Sequence, residues 1–311
     1  MKYTRGDLKQ RQSLPLDAKI VMTEKRIQEW YEHFDGNVYV SFSGGKDSTV
    51  LLTIARHLYP DIEAVFVDTG LEYPEIRKFV KTFDNVTILR PKMRFDEVIK
   101  QYGYPIISKE VAYDIEYARK GSQWAHYKFE GKNADGTDSK RKKGFRKYAP
   151  LIDTNITISN KCCTVMKKQP LKIYERQTGK KPIVATLAEE SGIRENAWLQ
   201  NGCNAFDSQR AISQPMAFWT EQDILHYIKT YEIPIASVYG QVIYKQPTQI
   251  GIDEILGGFD GVSDELITTG CDRTGCMFCA FGCHLEKSPT KFEKLKLSHP
   301  KQYNYCIYGG G

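Results

Sequence analysis

The chain has 311 residues, room for one large domain or two ordinary ones at roughly 150 residues each. Its 44 Lys and Arg against 38 Asp and Glu leave a net charge of +6, a mild basic excess that suits an anionic ligand such as a nucleotide or an RNA surface. Hydrophobic residues make up 41% and aromatics 12%, which argues against disorder, and a mean hydropathy of -0.48 without any run of about 18 apolar residues excludes a membrane-spanning helix. The opening from Met1 to Asp17 is polar and charged and lacks the apolar stretch of a secretion signal, so a cytoplasmic location is expected.

In chain order, Ile20, Ile27, Tyr31 and Phe34 recur at helical spacing between Leu16 and Phe34, and Asp35-Gly36 ends that helix. Val38, Val40 and Phe42 alternate as a short strand running into Ser43-Gly44-Gly45-Lys46-Asp47-Ser48, and Thr49 to Tyr59 reads as helix again. Ile62 to Val67 is a near-continuous apolar run of the buried parallel kind, followed by the turn Asp68-Thr69-Gly70, a helical stretch to Phe83 and a third strand, Val86 to Leu89. Alternating strands and helices imply right-handed crossovers and an open, mostly parallel α/β sheet. Residues 131–147 hold three glycines and the basic run Lys140, Arg141, Lys142, Lys143, Arg146, Lys147, which reads as an exposed loop; a phosphate-backbone contact is the sharper alternative. Helix signals follow Cys163, Pro182 to Leu187 is another buried-strand candidate, and Thr220 to Asp223 has the form of a capping box opening a helix. Three segments are expected: a helical 1–35, a nucleotide-binding α/β domain at 36–215, and a helical and irregular cysteine-rich region at 216–311.

The glycine-rich loop sits between a strand end and a helix start. There two glycines let backbone N–H groups approach an anion, and the helix dipole adds to the attraction. Lys46 supplies a point charge and Ser43 and Ser48 supply hydroxyl donors. The segment is neither the Walker loop nor the GxGxxG fingerprint. An ordinary tight turn would account for the glycines but not for Lys-Asp-Ser as well. Asp68, with Thr69 and Gly70, closes the next strand at the carboxyl edge of the sheet, where it can take a ribose hydroxyl or cap the following helix.

The eight cysteines avoid residues 1–161 altogether and cluster late, a pattern that in a reducing compartment reads as a metal or redox site. Cys271, Cys276, Cys279 and Cys283 stand in a C-x4-C-x2-C-x3-C array with Gly270, Gly275 and Gly282 interspersed. Thiolates select zinc or iron–sulfur clusters; zinc sites pair two knuckles across a long spacer, whereas C-x4-C-x2-C is among the ferredoxin spacings. Cys203 and Cys306 read as incidental thiols, and the six histidines form no metal-spaced pair.

The loop SGGKDS after a strand, followed by VDTG-x-x-YPE over Val67 to Glu75, resembles the PP-loop ATP pyrophosphatase superfamily, and within it the phosphoadenosine phosphosulfate (PAPS) reductase-like family. Lys161-Cys162-Cys163 with Lys167, Pro170 and Leu171 is similar to the family's tandem-cysteine segment. Glu189-Glu190-Ser191 with Arg194 is similar to its acidic motif, and Trp219 to Ile228 with Ile233-Pro234 and Tyr239 to its tryptophan-led helix and proline turn. The resemblance spans residues 36–284. It implies a [4Fe-4S] cluster, held by Cys271, Cys276, Cys279 and Cys283, by Cys162 and Cys163 with Cys276 and Cys279, or by a mixed set using one of the tandem pair; zinc is the alternative occupant. It also implies ATP, PAPS or adenylyl sulfate as the nucleotide, with Mg²⁺ on the phosphates.

Two departures from the family pattern stand out. The tail reads Tyr305-Cys306-Ile307-Tyr308 where sulfonucleotide reductases carry Glu-Cys-Gly-Leu-His, and Ala185, Thr186 and Leu187 occupy the place of their Gly-x-Arg. Three functions follow as expectations. The first is an enzyme that adenylates an acceptor for iron–sulfur-dependent sulfur transfer of the nucleic-acid thiolation or phosphorothioation type. In it Lys46 and Asp47 work on the nucleotide while Glu190, Arg194 and Lys167 frame the acceptor, and nucleic acid or a sulfur-donor protein is the partner. The second is an adenylyl-sulfate or PAPS reductase, and the third a non-enzymatic nucleotide-sensing or nucleic-acid-binding regulator.

Overall fold

A computed structural model describes residues 1–140, 142–245 and 264–309; Arg141 of the basic run lies outside them. The chain forms two compact units, each drawing on several stretches of sequence. The first comprises Met1–Val67, Glu72–Leu89 and Tyr174–Thr274; the second comprises Asp68–Leu71, Arg90–Ile173 and Gly275–Gly311.

Strands are numbered along the chain: β1 (Val38–Ser41), β2 (Ala64–Val67), β3 (Val86–Leu89), β4 (Ile106–Ile107), β5 (Lys181–Val184), β6 (Asn204–Ala205), β7 (Ile212–Ser213), β8 (Val242–Tyr244), β9 (Leu266–Thr268) and β10 (Ala280–Phe281). In the first unit six of them make one sheet in the order β3-β2-β1-β5-β7-β6, parallel throughout except for the β6–β7 pair. This is the expected open, mostly parallel α/β sheet. From β1 the chain steps outward through β2 to β3, then returns to place β5 on the other flank of β1. The strand order therefore reverses beside the carboxyl end of β1, where open sheets of this kind bind ligands. β1 and β2 are apolar on both faces, with Val38, Tyr39, Val40, Ala64, Val65 and Phe66 buried, as central parallel strands require.

Helix Leu16–His33 buries Lys19, Thr23, Ile27 and Trp30, a stripe at three- and four-residue spacing. Its two polar members are satisfied: Thr23 Oγ1 accepts the Trp219 indole N–H at 2.9 Å, and Lys19 Nζ donates to Asp223 Oδ2 at 2.6 Å. Asp223 is also the N3 residue of the capping box that opens helix Glu221–Thr230 with Thr220, so one carboxylate both starts that helix and pins it.

The second unit has its own core of Val111, Ala112, Ile115, Ala118, Ala125, Phe129 and Ile158, built on helices Lys109–Arg119 and Gln123–Phe129. The basic stretch expected as loop is partly helical. A run of 3-10 turns covers Lys143–Asp153 and packs Phe145, Tyr148, Leu151 and Ile152 on that core. The apolar residues interleaved with the lysines drive this, a signal hidden by the charge. β4 and β10 pair in parallel within the same unit.

Candidate active site

The Ser43–Ser48 loop leaves β1 and turns directly into helix Lys46–Leu58, whose N-cap is Gly45. Gly44 has φ +72°, and a Cβ there would lie 2.8 Å from Val80 Cγ2 and 2.9 Å from Ile76 Cγ2. Only glycine allows both the left-handed backbone and this close approach of helix Pro74–Val80. Inside the loop, Ser43 N–H donates to Ser48 Oγ (3.1 Å), the two serine hydroxyls meet at 3.0 Å, and Ser48 Oγ donates back to Gly45 carbonyl (3.0 Å). Asp47 lies in the first helical turn and Arg56 and His57 in the last, both matching the dipole.

A cavity of about 430 Å³ opens over this loop, lined by Ser43, Gly45, Lys46 and Asp47, by Leu187, Glu189 and Glu190 beyond β5, and by Glu221, Tyr239 and Asp272 to Thr274. It lies at the strand-order reversal. Lys46 is only 5% exposed, and its ammonium donates to Glu221 Oε1 at 2.9 Å. Its backbone N–H, one of the unpaired donors at the helix start, reaches Tyr239 Oη at 3.4 Å; that hydroxyl also meets Thr274 Oγ1 at 2.5 Å. Burial pushes the Tyr239 phenol up to about 12, so it stays protonated at neutral pH. Burial likewise raises the Asp47 carboxyl, with Lys46 and Arg273 acting against it. Glu190 is held by both Arg194 and Arg273, and Glu189 Oε1 accepts the Glu221 N–H at 2.7 Å. Ser191 caps helix Gly192–Asn201, which carries Arg194.

The site therefore brings together the predicted loop, Glu190 and Arg194. It adds Glu221, Tyr239, Asp272, Arg273 and Thr274, which sequence reasoning did not place there. Glu221 was legible only as a helix start. Arg273 sits between two cysteines whose spacing points to metal ligation, although Asp-Arg-Thr in that gap is itself a polar signal. The segment is fastened by Cys271 N–H to Val238 carbonyl (2.9 Å) and by Thr268 Oγ1 to Cys271 carbonyl (3.0 Å).

Asp68, Thr69 and Gly70 belong to the second unit. Asp68 Oδ1 accepts the Gly70 N–H at 3.2 Å, and Oδ2 stands 4.0 Å from Arg90 Nε. Thr69 is buried, with its hydroxyl oxygen accepting the Leu71 N–H at 3.2 Å. Lys167 is also in the second unit, where its charge works to lower the pKa of Cys162.

Of the cysteine array, Cys271 belongs to the first unit, beside Tyr73, whose phenol is pushed up to about 12 by burial and by that thiol. Cys276, Cys279 and Cys283 belong to the second unit together with Cys162 and Cys163. The Cys162 thiol is pushed up to about 12 by burial and then by the neighbouring Cys163, Cys276 and Cys279. The knuckle itself is tied by Lys291, whose Nζ donates to the carbonyls of Cys276 (2.8 Å) and Cys279 (2.9 Å). Among the described residues no three His, Cys, Asp or Glu side chains converge on a point that would hold a single metal ion. Cys163, Cys276 and Cys279 nevertheless lie close enough to act on the Cys162 thiol, and thiols are the donor chemistry that iron–sulfur clusters take.

The profile of the phosphoadenosine phosphosulfate reductase domain matches residues 37–106 and 117–281 of this sequence. The chain belongs to this family. An adenosine 5'-phosphosulfate reductase of Staphylococcus haemolyticus is 25% identical over 217 residues, 69% of this chain and 70% of that protein. Two uncharacterized proteins of Methanocaldococcus jannaschii are 35% identical over 95 residues and 42% identical over 84; the chain spans 23% and 18% of their lengths. A solved phosphoadenylyl-sulfate reductase from Candida auris, in a phosphate complex, aligns at 13% identity and a TM-score of 0.40 over 81% of this chain and 96% of that one.

Proposed function

We propose that this member of the reductase family is an enzyme that binds Mg²⁺-ATP on the Ser43–Ser48 loop and adenylates an acceptor for replacement by sulfur. The observation that carries this reading is the composition of the cavity. Lys46 and Arg273 face five carboxylates there, on Asp47, Glu189, Glu190, Glu221 and Asp272, and Leu187 lines the wall where reductases of the family are expected to place an arginine. A multiply charged sulfonucleotide would meet net negative charge in such a pocket. A triphosphate that brings Mg²⁺ can use such carboxylates, because Mg²⁺ takes one or two of them and fills its shell with phosphate oxygens and water.

In the reaction, the ammonium of Lys46 exchanges Glu221 for a phosphate oxygen and neutralises charge growing on the departing pyrophosphate. The loop amides hold the same oxygens. A nucleophilic oxygen of the acceptor attacks the α-phosphorus, and the bond from that phosphorus to the bridging oxygen of pyrophosphate breaks. A sulfide-level nucleophile then displaces AMP from the acceptor carbon or phosphorus. Glu190, held between Arg194 and Arg273, fixes both guanidinium groups at the rim. Cys162, Cys163, Cys276 and Cys279 are the residues that would hold a [4Fe-4S] cluster, which supplies electron-transfer or sulfur-binding chemistry when bound.

A second reading keeps sulfonucleotide reduction; the named Staphylococcus relative supports it, and Cys306 is its tail thiol. Anaerobic assays separate the two. Sulfur transfer predicts pyrophosphate and AMP release from ATP when acceptor and sulfide are present, with no sulfite from adenylyl sulfate or PAPS. Sulfite release that disappears in Cys306→Ser would establish the reductase instead, and ATP binding without any turnover would leave a nucleotide sensor.

A further inference from the structure

The charge of the chain is divided unevenly. The second unit holds 24 Lys and Arg against 12 Asp and Glu, whereas the first holds 20 against 26. The mild overall excess thus hides one strongly basic unit and one acidic unit. A basic excess of this size in one unit suits a polyanion partner.

That unit also displays an aromatic cluster. Tyr113 and Tyr117 on helix Lys109–Arg119 stand 4.5 Å apart between ring centroids, and Trp124 on the next helix lies 5.6 Å from Tyr117 and 6.2 Å from Tyr113. Tyr113 is 39% exposed and Trp124 is 41% exposed, large rings that the core does not use. Lys120 Nζ lies 5.5 Å from the Tyr117 ring centroid. The carboxylates of the same helix already have lysine partners: Glu110 and Asp114 pair with Lys128 at 2.6 Å, and Glu116 pairs with Lys120 at 2.6 Å. Arg119 serves the fold, donating to the carbonyls of Leu151, Ile152, Thr154 and Ile156. The basic stretch runs into the turns that pack Phe145 and Tyr148 against the same helix pair, so cations and rings share one small substructure. The family profile breaks between residues 106 and 117, which takes in Tyr113 and most of its helix. Of the three rings only Tyr113 falls in that gap; Tyr117 and Trp124 lie within the matched stretch.

We infer that the Tyr113–Tyr117–Trp124 cluster is a stacking platform for an unpaired nucleic-acid strand, with Lys142, Lys143 and Lys147 contacting its phosphates. Bases stack on exposed rings without sequence preference, and nearby cations follow the backbone; duplexes, whose bases are already stacked, gain nothing from the rings. The inference rests on the proposed function only in making that strand the acceptor. Binding itself needs neither nucleotide nor turnover.

The test is fluorescence anisotropy of the full chain with labelled unstructured RNA and DNA oligonucleotides and a duplex of the same sequence. Single strands are expected to bind more tightly than the duplex, with affinity falling as salt rises. Joint Tyr113→Ala and Trp124→Ala substitution should raise the single-strand Kd at least about tenfold, the loss of stacking on one base. Trp124→Phe, which keeps a ring, should stay near wild type, and ATP affinity should not change in any of these variants. No single-strand binding, equal binding of the duplex, or an unchanged Kd in the double variant overturns the inference. Loss of strand binding together with ATP binding also overturns it, because the substitutions would then act through the fold.

Discussion

At position 46 a lysine is almost wholly buried, yet its ammonium answers a half-exposed glutamate rather than a buried one. A cation held this way can change partners when phosphate arrives, since Glu221 loses little by returning to water. Position 44 shows how narrowly the loop is drawn. Gly44→Ala would place a methyl against Ile76 and Val80 and force a positive φ on a residue with a Cβ. It is expected to lower stability by about 1–3 kcal/mol in urea titration, with a parallel loss of nucleotide affinity. A neutral outcome would mean that helix Pro74–Val80 shifts freely, and the loop would then not be preorganised.

At the scale of elements, the sheet is tied at the edge opposite the loop by one carboxylate. Glu63, just before β2, accepts from Thr87 Oγ1 in β3 (2.5 Å), from Lys180 Nζ ahead of β5 (2.6 Å) and from the Tyr174 hydroxyl. Burial raises its pKa, but these donors outweigh it, and the carboxyl sits below the ordinary value of 4.5. The stability it contributes is therefore present above that value and is lost as pH falls through the lowered one. Glu63→Gln should cost about 1–3 kcal/mol at neutral pH and should flatten the acid side of the stability profile; an unchanged profile would remove Glu63 from the account. The central strands and the loop were legible in sequence, because buried parallel strands are apolar runs and the loop interrupts one with Gly-Gly-Lys. The short β6 and β7 were not, since two-residue strands have no period to read. The cavity wall of Glu221, Tyr239 and Arg273 was not legible either, because residues some 175 to 230 positions from Lys46 in the sequence meet it only through the fold. Among the thiols, spacing grouped Cys271 with its neighbours in sequence, whereas packing pairs it with Tyr73 and groups Cys276 and Cys279 with the tandem pair.

For the molecule as a whole, the two units differ in chemistry. The first is net acidic and holds the Ser43–Ser48 loop under a cavity lined by five carboxylates; the second is basic and holds the tandem thiols, the knuckle and the exposed rings. The family profile covers both the loop and the tandem thiols, and five carboxylates and Leu187 line the cavity over the loop. The central claim is that Lys46 and its loop grip a triphosphate, and isothermal titration of the full chain with Mg²⁺-ATP addresses it directly. Wild type should bind, and Lys46→Ala should bind about 10- to 100-fold more weakly, as expected for losing a charge-assisted contact of about 1.5–3 kcal/mol. Equal affinity in the two proteins would contradict the account.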